Sequence, residues 1–234
     1  MPFGLNSSAT IILAILKCTR EKDFCSISEI KDATNLPAYR ILEFLIQIES
    51  QGLIELFESN SKILCKPYDR LKLAIFALNH NVNPLKIALF LDWREFERIC
   101  LISFEEYEYR CFQNFRFKID GKFFEMDIIG VKDPFVICVD CKRWSKIRRS
   151  QLRRAALKHL KKVILLSSSK YLEKLEVSSW NKIIFIPVML TIYEDIDRFY
   201  RGIPIIPVYK FNSFLKDIYL GLDQIEKVII YKND

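Results

Sequence analysis

The chain has 234 residues, half of them apolar and 13% aromatic, so it carries enough apolar material for a packed core and falls outside the disordered class. Its 36 Lys and Arg against 29 Asp and Glu leave a formal charge of +7, which favours acidic partners, nucleic acid first. No run approaches the roughly 18 uncharged apolar residues of a membrane span, and the first residues lack the basic start and small-residue cleavage site of a signal peptide. Seven scattered cysteines, an odd number, read as reduced thiols of a cytoplasmic protein.

Ala9 to Cys18 is an apolar helical run, and Ser28 offers an N-cap for Glu29–Ala33. Asn35-Leu36-Pro37 makes a tight connection into a second helix, Pro37 to Gln51, which stops at Gly52. Leu53–Phe57 and Lys62–Cys65 alternate as strands around Ser59-Asn60-Ser61. This order of helices and hairpin resembles the winged helix-turn-helix family, which implies a nucleic-acid or protein contact. Residues 1–80 hold nine basic and nine acidic side chains, and the second helix offers only Arg40 and Gln47 beside Glu43 and Glu49. That is a poor set for reading a DNA groove. Leu71–Leu78 continues as a helix until Asn79-His80-Asn81-Val82-Asn83-Pro84 breaks it, and a first domain of residues 1–80 ends there.

Residues 81–234 carry 27 basic and 20 acidic side chains, the whole excess of seven. Asp92–Tyr107 reads as one helix, followed by strands at Phe115–Ile119, Lys122–Val131 and Phe135–Lys142. A basic helix to about Lys161, a buried-type strand at Val163–Ser167, further strands at Ile183–Val188 and Ile205–Val208 and a helix at Asn212–Tyr219 complete an α/β sheet with helices around it. Lys142 to Lys162 holds ten Lys and Arg and no acid, a density that suits a phosphate backbone. Tyr107, Tyr109, Phe112, Phe115, Phe117, Phe123 and Phe124 fit core packing through their strand alternation. His80 and His159 read as exposed polar residues, too few for a zinc hydrolase centre. Cys138 and Cys141 spell C-x-x-C, but on a strand residues three apart point to opposite faces and cannot share a metal.

The chemistry is expected on the central hairpin. The strand period of two puts Asp140 and Lys142 on one face, and a symmetric hairpin about Asp133-Pro134 sets Asp127 opposite Asp140, with Cβ atoms about 4.5–5.5 Å apart. Two facing carboxylates repel unless a cation lies between them, and their hard oxygens suit Mg²⁺. An acid followed by an apolar strand ending Asp140-Cys141-Lys142 resembles the PD-(D/E)xK nuclease superfamily. Asp92-Trp93-Arg94-Glu95-Phe96-Glu97, Glu125-Met126-Asp127, Val139–Trp144 and Gly202–Val208 leading into Phe211–Leu215 are similar to archaeal endonucleases related to Holliday junction resolvases and Mrr-type restriction nucleases.

That resemblance covers about residues 84–220 and implies a restriction-endonuclease-like α/β/α domain with a mixed sheet over residues 81–234. It implies Asp127 and Asp140 as metal carboxylates, Glu97 as a helix-borne acid at the metal (Glu95 competing for that place), and Lys142 as the catalytic lysine. The implied cofactor is Mg²⁺, with Mn²⁺ as a substitute. Arg143, Lys146, Arg148, Arg149, Arg153 and Arg154 would bind DNA, and Gln151 is available for the place where related nucleases put a Gln after the lysine. The expected function is metal-dependent hydrolysis of DNA phosphodiester bonds, of duplex, branched or modified DNA, with a homodimer suiting paired cuts. The rival expectation is a winged-helix regulator whose nuclease-like domain is a non-catalytic dimerisation or binding platform.

Overall fold

The computed structural model describes residues 5–143, 148–168, 170–192 and 198–231, and divides into two compact units, Met1–Glu95 and Phe96–Asp234. In the first unit, α1 (Leu5–Cys18), α2 (Ile27–Thr34) and α3 (Ala38–Ser50) bury Ile11, Ile15, Leu16, Ile30, Ile41, Leu45 and Ile48 completely. Strand β1 (Cys25–Ser26) and the hairpin β2 (Ile54–Ser59) and β3 (Lys62–Pro67) form an antiparallel sheet in the order β1-β3-β2. The hairpin closes through Asn60 and Ser61, both at positive φ, the conformation whose twist matches two paired strands.

Ser26, not the expected Ser28, caps α2. Pairing of Ser26 with Leu64 holds it extended (φ −89°, ψ 157°), so its hydroxyl can accept the Glu29 N–H while the Glu29 carboxylate accepts the Ser26 N–H at 2.9 Å. Helix α4 (Arg70–Asn79) is followed by a further helix that the sequence pattern does not announce, α5 (Pro84–Phe90). Asn83 accepts the Leu85 N–H and Pro84 occupies the first turn, so the punctuation expected to end a domain here opens a helix. Arg70 holds this part of the unit together. Its guanidinium donates to the carbonyls of Leu16 and Phe90 at 2.8 Å each and to Glu95 at 2.8 Å, which keeps α5 and the first turn of α6 (Trp93–Glu106) in the unit that contains α1.

In the second unit, β4 (Arg110–Ile119), β5 (Lys122–Lys132), β6 (Phe135–Lys142), β7 (Lys182–Thr191), β8 (Phe199–Tyr200) and β9 (Ile203–Pro207) make a mixed sheet in the order β4-β5-β6-β7-β9-β8, and β10 (Val228–Tyr231) also pairs with β7. β6 runs parallel to β7 through the crossover helix α7 (Arg149–Ser167), and β9 runs parallel to β7, ahead of the short helix α8 (Phe211–Asp217). The run Val163–Ser167, expected as a strand, is the end of α7. Leu152, Ala156, His159, Val163 and Leu166 are buried at helical spacing, so the apolar run continues the face that α7 turns to the sheet. Val163 and Leu166 pack with Val136 and Cys138 of β6 and with Ile129 and Val131 of β5. The opposite face belongs to α6: Phe104 lies so close over Gly130 that a Cβ there would sit 2.3 Å from the ring.

One irregularity positions the chemistry. Met126 and Ile129 both join the core cluster under α7, and so do Phe112 and Phe115, although a period of two sends residues three apart to opposite faces. Between them, Asp127 and Asn114 are missing from an otherwise continuous β4–β5 register, and Asn114 has φ +48°. Both strands turn over at this point, so a polar side chain leaves the regular pleat. Phe123, expected in the core, is 77% exposed near the hairpin end, where the Lys118 ammonium lies 4.9 Å from its ring centroid.

Candidate active site

The β5–β6 ladder has the expected symmetric register as far as Ile128 opposite Val139, and stops there. Asp127 does not continue it as a facing pair with Asp140. Its carboxylate accepts the Cys141 N–H at 2.8 Å, so a side chain takes the place of a backbone acceptor and ties the two strands together.

Asp140 is 5% exposed and engaged by two ammonium groups. Lys142 Nζ lies 2.5 Å from one carboxylate oxygen, and Lys162 Nζ lies 3.2 Å from the other while donating to the Glu125 carbonyl at 2.9 Å. Burial pushes the Asp140 pKa up, but the Lys142 and Lys162 ammonium groups, joined by His159 only when its ring is charged, hold the group below its usual range, so it stays ionised. His159 is buried, contrary to expectation, at 1% exposure, and burial pushes its pKa down to about 4. Its Nε2 therefore carries the proton and donates to the Cys138 carbonyl at 2.8 Å, which anchors β6 two residues before Asp140.

On the α6 side, one ligand atom each from Glu97, Asp127 and Cys141 lie within 4.8 Å of one another. Glu97 is 8% exposed and its Oε1 has no hydrogen-bond partner. Burial, then Asp127 and Glu125, raise its pKa to about 7; burial and Asp140 raise that of Asp127. Both carboxylates thus hold a proton more tightly than in water, a penalty that a bound cation removes. An orphaned buried oxygen beside a second carboxylate fits a divalent ion. Glu95, the competing helix acid, is committed elsewhere: it exchanges hydrogen bonds with Asp92 at the start of α6 and pairs with Arg70. Asp140 lies outside the group of three, with an ammonium group near each of its oxygens.

Arg148, Arg149, Arg153, Arg154, Lys158 and Lys161 are exposed along α7, Arg143 is half-buried, and Lys146 lies outside the described residues. The Arg153 guanidinium is 5.3 Å from the Tyr200 ring centroid. Gln151 is exposed in the first turn of α7. Lys162, His159 and the Cys141 thiol were not among the expected site residues. For the first two the signal was present, since the helical period through Leu152, Ala156 and Val163 buries His159 and places Lys162 at the border of the buried face.

Residues 93–174, from the start of α6 past the end of α7, match the nuclease-related domain family. An uncharacterized protein of Archaeoglobus fulgidus is 30% identical over an alignment 138 residues long, which covers 56% of this chain and 95% of the archaeal one. The chain belongs to the same family as that protein. A crystal structure of a Vibrio cholerae protein superimposes with a TM-score of 0.42 and 9% identity over 94% of the chain, which spans only 52% of the Vibrio protein's length. Among the described residues, no helix is long and apolar enough to cross a membrane.

Proposed function

We propose that the protein is a cation-dependent DNA endonuclease of the PD-(D/E)xK kind, related to Holliday junction resolvases and Mrr-type restriction nucleases. The observation that carries this reading is the pair of buried Glu97 and half-buried Asp127 beside the lysine-bound Asp140, within a segment similar to the nuclease-related domain. Glu97 and Asp127 would hold the ion, Mg²⁺ or Mn²⁺, which when bound lowers the pKa of a coordinated water and screens charge on the phosphate. Asp140 orients Lys142 through their ion pair, and Lys142 in turn stabilises the charge that builds on the phosphate oxygens. The first unit, with three helices and a hairpin in chain order, fits a winged helix, and a homodimer would place two such sites for paired cuts. The test is incubation of labelled duplex, four-way-junction and methylated DNA with Mg²⁺, Mn²⁺ or EDTA. Cutting that requires the ion is expected; no cutting of any substrate with any ion would leave the non-catalytic platform as the better account.

The exposed basic face of α7 supplies affinity for phosphate without sequence information. Arg148→Ala with Arg149→Ala is expected to weaken binding to unrelated duplexes alike. The slope of log affinity against log salt should fall by about 1 for each phosphate that the variant no longer neutralises. Fluorescence anisotropy across a salt series measures both. An unchanged slope would place the DNA elsewhere on the protein.

A further inference from the structure

We propose that Cys141 is itself a metal ligand through Sγ, and that the site therefore takes a thiophilic later transition ion of the Co²⁺ or Zn²⁺ class in preference to Mg²⁺. This rests on the same cation site as the nuclease reading and adds its ligand set. β6 sends Cys138 to the face under α7, where it packs with Val163 and Leu166, so Cys141, three residues on, faces the other way, toward α6 and Glu97. The Asp127 carboxylate bonded to the Cys141 N–H holds the backbone of that cysteine in place. The sulfur, a Glu97 oxygen and an Asp127 oxygen then converge within 4.8 Å of one another. Bonds of about 2.3 Å to sulfur and about 2.0–2.2 Å to oxygen set neighbouring donors roughly 3–4 Å apart, so closing on an ion needs only a small side-chain rotation.

The independent sign of a ligand is Glu97, more than nine-tenths buried, whose carboxylate belongs to this cluster and keeps one oxygen, Oε1, without a partner. The half-buried Cys141 thiol shares this cluster with the two carboxylates. It completes a mixed oxygen and sulfur set, and such a set discriminates among ions, because Mg²⁺ demands oxygen donors whereas thiolates bind the later transition ions. On binding, the S–H bond gives its proton to solvent and the sulfur lone pair goes to the metal, with no change of oxidation state.

The full-length protein, stripped with EDTA, is titrated with Co²⁺ while the near-ultraviolet thiolate-to-cobalt charge-transfer absorption is followed, and with Zn²⁺, Mn²⁺ and Mg²⁺ by calorimetry. Wild type is expected to show the band. Cys141→Ser and Cys141→Ala should lose it and bind Zn²⁺ at least about tenfold more weakly, with little change for Mg²⁺. Cys111→Ser, on β4, should keep it. Cobalt bound without the band, no cobalt binding, or a band that survives in both Cys141 variants overturns the proposal. DNA cleavage by the same samples separates the two readings. Mg²⁺-dependent cutting at wild-type rate in a protein without the band removes the thiolate ligand and keeps the nuclease. The band without cutting by any ion keeps the ligand and removes the nuclease.

Discussion

Asp127→Ala is expected to lower cation-dependent DNA cleavage by on the order of 10³-fold, and Lys142→Met by about 10²–10³-fold, sizes typical of losing a charge that acts on the transition state. Asp127 has two separable jobs. One oxygen accepts the Cys141 N–H and pins β6, and the carboxylate also belongs to the cluster with Glu97 and Cys141. Asp127→Asn keeps an amide oxygen for the backbone bond but removes the charge, so it should fold like wild type, bind the cation weakly and cleave as poorly as the alanine variant. Lys142→Met acts differently. It leaves Asp140 with Lys162 as its ammonium partner, so cation affinity should change little while the rate falls. Single-turnover cleavage with cation titrations on the same samples reads both effects. An asparagine variant that cuts at the wild-type rate would reduce Asp127 to a strand fastener.

Arg70→Met should destabilise the first unit by about 3–5 kcal/mol, the usual cost of leaving a buried charge without its partner. The Arg70 and Glu95 side chains are only 16% and 11% exposed. Removing the guanidinium strands the Glu95 carboxylate and also the carbonyls of Leu16 and Phe90, which it bridges at 2.8 Å. Urea unfolding of Arg70→Met, Glu95→Gln and the double variant gives the coupling directly. We expect a coupling above about 1 kcal/mol; a value near zero would class the pair with exposed ion pairs.

Much of this protein is legible in its residues. The hairpin register through Ile128 and Val139 follows from a short turn at Asp133-Pro134 and from period-two patterning, both local. The basic face of α7 follows from charge and helical period. The place of Asp127 does not, because the turnover of β5 there occurs jointly with β4 at Asn114, and a pair of strands that changes face together leaves each pattern looking regular over short windows. For the same reason the expected facing of Asp127 and Asp140 gives way to a carboxylate bonded to the Cys141 backbone. Val163–Ser167 reads as a strand because an apolar run of that length suits either structure, and only its packing against Val136 and Cys138 decides for the helix.

By itself the sequence determined which side chains could do chemistry: an acid on a helix, an acid on one strand, and Asp140 and Lys142 two apart on the next, followed by a basic helix. Those are matters of residue type and of spacing within one element. Only the tertiary structure decided which of them meet. It gave Glu97 rather than Glu95 to the cluster, because Arg70, distant in sequence, had claimed Glu95; it brought Lys162 and His159 from α7 onto the strand that bears Asp140; and it set the Cys141 thiol beside Asp127. Each of these depends on burial and on partners from other elements, which no local pattern encodes.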